Sequence, residues 1–530
     1  MALAQWRPLI LASAVTAALA GAVIVQTCTG GGGGNPIADP MATPTAAPTA
    51  TPTTPPLPEE PVTAIQNPLV LRVFEPGELV AVTNTVGFLS AETGVLETWS
   101  AEGNLPIAAS RDGWLLQTAA SAGGAAILVE RATGAAYRLA PGITPLIDSA
   151  HAGLVIVGIS TGGQVDTAIL DLRNGTFRPL GVGAPAGGTF RAHAAEDGRR
   201  ALLHAGNTIA IVDMVANTAI AIGTTFDPER FGILLLPGGL GFRIVSSGEP
   251  GEARWYGWDG EEVSGTPPGR PSQNGRYFAE DVSLGTIKGE AQGIGPYAAL
   301  SYVIVHDRSS GDDILWLLGA SLVQGREPWN AGGDAMLVQV PEGYRLVNLE
   351  GSVVAAFEAG VEPFPSPVIN GLYGTQLGAI INVSRNSRVE PNYPEPAALV
   401  SDSRWSDRPG ELIVRLFWPT GRESSPPVQA LPFEARTPPF NDAPRLMVAG
   451  TGCAPVHDAP SSSAMQLGCA EPGRAAALSE IPDPLYSPGV DLERRAVIGV
   501  ELVDGTVWLH VAFEDGPQGW VEASRLGWAN

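Results

Sequence analysis

A turn built around glycine returns along the middle of this chain at a nearly constant interval, and that interval limits what the chain can fold into. The positions are Gly77, Gly113, Gly153, Gly198, Gly241, Gly275, Gly333 and Gly371. Most steps between them are 34 to 45 residues, and a step of 58 marks one insertion. Each unit runs as an apolar strand, a turn, an alternating strand that often ends in Asp or Glu, then Gly and a last strand. SRDGWLLQTAASAGGAAILVERATGAAYRL from Ser110 and NAGGDAMLVQVPEGYRLVNLEGSVVAAF from Asn330 show the outline. A helical period of 3.6 is scarce from about residue 68 to 438. Units of this length, with about four short strands each, read as propeller blades. One four-stranded blade cannot bury both faces alone, whereas packing it between neighbours and closing the ring buries them all. The expected fold class is therefore all-β, a seven- or eight-bladed β-propeller over residues 63–440, with an array of β-sandwiches as the rival.

Composition agrees with that pattern. The 530 residues include 65 Gly and 47 Pro, and only 16% are charged, as a fold of many turns and few surface helices requires. The net charge of -23 argues against a nucleic-acid partner, because binding phosphates needs clustered Lys and Arg.

The N-terminus is a different material. Arg7 is followed by an uncharged, mostly apolar run from Pro8 to Val25, which as a helix spans about 27 Å, a little short of a bilayer core. Three readings stand open for residues 1–28: an uncleaved membrane anchor, a signal peptide cleaved after Ala20, or a lipoprotein signal ending at Cys28. All three place the chain from residue 35 onward outside the cytoplasm. Residues 29–62 are a Gly tract and then a Pro/Thr/Ala tract, which cannot build a core and read as a disordered linker or stalk.

Chemistry is hard to find. Gly158 to Gly162 spells GISTG, the G-x-S-x-G pattern of a nucleophile elbow, which needs a strand, a sharp turn and a helix around Ser160. Ser160 leads instead into a Gly-Gly turn and a second strand-like run, so the match reads as turn chemistry. The six histidines show no metal-ligand spacing, and Asp312-Asp313, placed in a turn, lacks the alternating oxygen ligands of a calcium loop. No catalytic residue, cofactor or metal is expected. Trp99, Trp114, Trp255, Trp258, Trp316, Trp329, Trp405 and Trp418 read as core between blades.

The middle of the chain resembles bacterial extracytoplasmic β-propellers, in outline only, since the Trp-Asp dipeptide of the strict repeat does not recur from unit to unit and occurs in the units once, at Trp258-Asp259. Residues 445–530 resemble the bacterial Src-homology-3-like domain. Val448 to Gly452 stands for its opening strand, Ala459-Pro460-Ser461 with Ser463 for its first turn, and Leu467 through Gly473 for the next strand and turn. Trp508 with Val511 and Gly519-Trp520-Val521 with Leu526 stand for the closing strands. The chain departs from the pattern at His457-Asp458 and in a long insertion, IPDPLYSPGVDLERRAV. The resemblance implies attachment to cell-wall peptides or protein partners, with Trp508 and Trp520 as a possible binding groove. Cys453 and Cys469 would lie on neighbouring strands of this small barrel and pair in an oxidising compartment, leaving Cys28 as the odd thiol for lipidation.

The expected role is a non-enzymatic, envelope-tethered binding or scaffold protein, in contact with the membrane through its N-terminal segment. The propeller face would offer protein or glycan contacts and the C-terminal module a second contact. The alternative is a glycan-processing enzyme with a carboxylate pair in the propeller channel.

Overall fold

The computed structural model describes residues 60–529, except segments 81–83, 102–104, 119–124, 186–189, 223–230, 247–253, 265–267, 284–300, 394–397, 400–402, 418–430, 441–442, 483–495 and several gaps of one or two residues. The signal or anchor segment with Cys28, and the linker up to residue 59, lie outside them. Among the described residues no helix is long and apolar enough to cross a membrane.

Strand pairing sorts residues 62–436 into eight antiparallel sheets. Seven start from a contiguous stretch: residues 107–139, 143–185, 190–221, 231–256, 270–318, 321–358 and 363–389, here blades one to seven. Blade eight is shared by the two ends of the ring. Thr85–Ser90, Leu96–Ala101 and Leu69–Phe74 come from the N-terminal side, and Glu411–Phe417 joins them by pairing with Thr85–Ser90 over six registered positions. Three blades carry an extra outer strand, Val62–Ile65 on blade one, Glu434–Arg436 on blade five and Leu69–Phe74 on blade eight.

Apolar clusters show that the sheets are wedged face to face in a closed circle. Leu337 of blade six packs with Tyr373 of blade seven. Leu372 of blade seven packs with Leu412 of blade eight, and Phe88 of blade eight with Val129 of blade one. The remaining neighbours meet in the same way, from Leu128 with Val157 through Trp255 with Phe278 to Leu315 with Met336. This is an eight-bladed β-propeller. The open count of seven or eight resolves because the last blade borrows its outer half from the start of the chain.

The glycine pattern marks one point in each blade, at or just before the start of its second strand. Gly113, Gly153, Gly198, Gly241, Gly275, Gly333 and Gly371 all stand there with positive φ. Gly241 shows why: φ is 122°, and an added Cβ would lie 2.0 Å from the Tyr256 carbonyl oxygen. Gly77 is a correction. It sits in the turn after Leu69–Phe74, and the equivalent residue of blade eight is Gly410, directly ahead of Glu411–Phe417.

The tryptophans mostly fall between blades as expected, with Trp99, Trp114, Trp255, Trp329 and Trp405 in inter-blade clusters. Trp418 lies outside the described residues. Trp316 is a second correction, because it faces the C-terminal module. Its ring stacks on Phe440 with centroids 4.1 Å apart, and with Leu318 and Leu431 it belongs to one core with Leu446, Val507 and Leu526. The Trp528 indole donates to the Pro432 carbonyl at 2.9 Å. The module is thus built onto the outer side of blade five, not tethered as a separate unit.

Within the module, Leu446–Val448, Ala454–His457, Gln466–Ala470, Ala475–Leu478, Thr506–Phe513, Gln518–Glu522 and Leu526–Trp528 share one sheet. The opening strand ends at Val448, so the expected strand Val448 to Gly452 is instead mostly a turn. Cys453 and Cys469 form a disulfide with Cα atoms 5.6 Å apart, beside the register pair Pro455 and Cys469. The insertion opens as a hairpin in which Glu480–Pro482 pairs with Ala496–Ile498.

Candidate axial site

The innermost strands converge on a cavity of about 280 Å³ on the ring axis. Its wall takes residues from seven blades: Arg111 from one, Ala194 from three, Leu236 from four, Gln273 from five, Glu327 from six, Phe364 from seven and Arg404 from eight. Trp258, Trp329 and Trp405 also line it.

The chain reaches this point by a turn that repeats from blade to blade. In blade one the Ser110 N–H donates to the Trp114 carbonyl at 2.7 Å. The same bond closes from Ala195 to Arg200, Ser272 to Tyr277, Asn330 to Ala335, Ser366 to Leu372 and Ser406 to Glu411, at 2.7 to 3.0 Å. The buried Ser or Asn side chain supports it: Ser110 Oγ accepts from Trp114 N at 2.8 Å, and Ser272 Oγ from Tyr277 N at 3.1 Å. A buried hydroxyl without such a partner would be costly, so the turn suits Ser or Asn, while Ala195 of blade three closes it with the main-chain bond alone. A Ser or Asn ahead of the repeating glycine is the sequence signal for these turns that the glycine spacing alone does not use.

Arginines stitch the inner wall from blade to blade. Arg243 of blade four donates to the Gly269 carbonyl at 3.0 Å. Arg270 of blade five donates to the Val323 carbonyl at 2.8 Å and also to the Arg326 carbonyl. Arg326 lies 4.3 Å over the Phe364 ring of blade seven and donates to the Ser403 carbonyl of blade eight at 2.8 Å. Arg404 of blade eight donates to the Ala109 carbonyl of blade one and pairs with Asp148 of blade two at 3.0 Å. Arg111 pairs with Asp407 at 3.2 Å. The planar fork of a guanidinium suits this, since several N–H groups reach different carbonyls while the charge stays.

Main-chain carbonyls accept hydrogen bonds but do not neutralise charge. Burial pulls the Arg243 and Arg270 guanidinium groups below the usual arginine range, with carboxylates at Glu280 and Glu327 only partly opposing it. Burial likewise lowers His193, on the inner strand Phe190–Ala194, which favours its neutral form. The described innermost strands hold Arg191, Arg270 and Arg404 and no Asp or Glu, in a chain with 54 acidic and 31 basic residues. The described innermost strands are therefore basic inside an acidic protein.

Two further donors belong to the same wall. The indole Nε1 atoms of Trp258 and Trp405 are buried and have no acceptor. Among the described lining residues Glu327 is the sole carboxylate.

The sites singled out in the sequence fall elsewhere. Ser160 lies in the strand Leu154–Thr161, opposite Val165 of the hairpin partner Gln164–Asp171, with no helix after it. Asp312 opens the strand Asp312–Leu318 and is not a turn residue, and Asp313 Oδ1 lies 2.8 Å from His306 Nδ1. Among the described residues no group of three or more His, Cys, Asp or Glu is placed to hold a metal ion. Trp508 and Trp520 are buried in the module, each ring against a histidine, with centroids 5.5 Å from His457 and 5.2 Å from His510 respectively.

No family model matches the chain, and no curated protein matches it. Among solved structures it is similar to BamB from Moraxella catarrhalis, at 15% identity and TM-score 0.29 over 60% of this chain and 97% of that one. It is also similar to the dihydro-heme d1 dehydrogenase NirN, at 12% identity and TM-score 0.30 over 60% of this chain and 74% of that one. A eukaryotic initiation factor aligns at 10% identity and TM-score 0.35 over 64% of this chain and 96% of that one. Likenesses this distant decide nothing about function, and the blade count rests on the strand pairing of the chain itself.

Proposed function

We propose that the chain is a non-enzymatic binding and scaffold protein of the cell envelope, held at the membrane by its N-terminal segment. The observation that carries the binding reading is the axial cavity, where seven blades contribute wall residues and the polar groups are mostly arginine and indole donors. A glycan-processing site needs two carboxylates some 5 to 10 Å apart around the bond. The described cavity wall offers Glu327 alone, and Asp148 and Asp407 are each held by an arginine.

The apolar run from Pro8 to Val25 and the Gly and Pro-rich tract after it support tethering. The order of signals from Val448 to Leu526 supports a Src-homology-3-like module. With Trp508 and Trp520 buried, the partner-facing surface is assigned to the propeller.

Pull-down on purified peptidoglycan and on envelope protein extract, with a stalk-only chain as control, tests the scaffold reading. Enrichment of the full chain over the stalk is expected on one of the two, and none on either contradicts it. Mass spectrometry of the native N-terminus distinguishes an intact Met1, a free Gly21 and a lipidated Cys28.

A further inference from the structure

We propose that the axial cavity is a receptor for the oxyanion group, carboxylate or phosphate, of a small molecule. The inference rests on reading the ring as a binding platform and names the chemistry its axis accepts.

Three observations converge on it. Arg111, Arg326 and Arg404 line the cavity, Arg111 and Arg404 each paired with a carboxylate outside the lining, Asp407 and Asp148, while Glu327 is the one carboxylate among the described lining residues. Behind them, Arg243 and Arg270 form no ion pair among the described residues and spend their hydrogen bonds on carbonyl groups. Trp258 and Trp405 add N–H donors with no acceptor. A wall rich in donors and poor in acceptors is complementary to a group that only accepts. Guanidinium forks meet carboxylate and phosphate in the same two-bond geometry, and such charge-assisted bonds are about twice as strong as neutral ones.

Size and field select the kind of molecule. A volume of about 280 Å³ admits a small metabolite and not a folded partner. The chain as a whole carries a net charge of -23, which disfavours the approach of a polyanion through the surrounding field. A small, singly or doubly charged ligand meets less of that barrier and gains the local arginines.

The test is isothermal titration of the purified full chain with glucuronate, citrate and inorganic phosphate, with glucose as the neutral control. Saturable binding of at least one anion, at least tenfold weaker in Arg404→Gln, is expected, while glucose gives none. Preference for glucuronate or citrate assigns a carboxylate, and preference for phosphate assigns a phosphate. Because Arg404 also bridges blades, circular dichroism must show the variant folded. Arg404→Lys supplies a second variant, which keeps the charge and loses the fork, and should weaken binding less. Arg72→Gln on the outer strand of blade eight should leave binding unchanged. No heat from any anion at millimolar concentration overturns the proposal, as does equal binding by wild type and both Arg404 variants. Pull-down on envelope material is read independently, so either result can fail without the other.

Discussion

Blade six and blade eight hold equivalent places in the ring and are made in two ways, blade six as a four-stranded sheet and blade eight as a six-stranded one. Blade six is cut from one stretch, residues 321–358, and each of its strands pairs with a neighbour in sequence. Blade eight pairs Thr85–Ser90 with Glu411–Phe417, more than 320 residues apart. The local blade needs only good turns and apolar strands. The shared blade must also be held against the entropy of bringing two distant parts of the chain together, and one side chain is placed to do so. Arg131 of blade one, with its side chain 6% exposed, bonds Glu97 from the N-terminal half at 2.7 and 2.8 Å and Glu411 from the C-terminal half at 2.8 Å. The guanidinium also lies 3.8 Å over the Phe88 ring. These contacts raise the Arg131 pKa against the pull of burial. Ring closure therefore runs through a two-carboxylate clasp that blade six does not need.

The largest expected effect breaks that clasp. Arg131→Ala strands two partly buried carboxylates and is predicted to cost about 3–5 kcal/mol, measured as a fall in urea midpoint. A change under about 1 kcal/mol would put closure in the strand pairing alone. Second comes the module. Cys453→Ser removes a 16-residue cross-link and is expected to cost roughly 3 kcal/mol in the chain-entropy model. The loss should appear at the Trp528 side of the molecule while the axial cavity keeps its ligand.

Acid offers a third, graded probe. Burial pushes the Glu97 carboxyl up, but hydrogen bonds from Arg131 and Trp99 outweigh it and hold the group below its ordinary 4.5. A depressed carboxyl contributes stability that is fully present above its unfolded pKa and is lost as pH falls through the folded value. Stability should therefore decline below about pH 4.5, and the decline should be shallower in Glu97→Gln. The smallest effect belongs to blade six. Its Arg345 and Glu342 are 3.9 Å apart at a half-open surface, and Arg345→Ala should cost less than about 1 kcal/mol. A loss equal to that of Arg131→Ala would erase the distinction between the blades.

Legibility in the sequence followed the same divide. Contiguous blades announce themselves because strand, turn and glycine recur within one stretch, as at Ser110 to Trp114 and Asn330 to Ala335. Gly410 escaped because it belongs to a blade whose other half is read at residues 69–101, and Gly77 stood in a plausible place by spacing alone. Trp316 looked like the other strand tryptophans. Only the chain's return through Glu434–Arg436 shows that it faces the module. The arginines of the axis were invisible for a related reason. Arg111, Arg270, Arg326 and Arg404 are scattered over nearly 300 positions, and only ring closure brings them to one wall. Conversely, GISTG matched a catalytic pattern and proved to be a hairpin, because a short motif carries no information about whether a helix comes after it.

Hydrogen exchange on the full chain, followed peptide by peptide, tests ring closure most directly. Backbone amides of residues 85–90 and 411–417 should show the same protection, and Arg131→Ala should release both segments together while residues 335–348 stay protected. Rapid exchange of 411–417 in the wild type, beside a protected 85–90, would contradict a ring closed by its two ends.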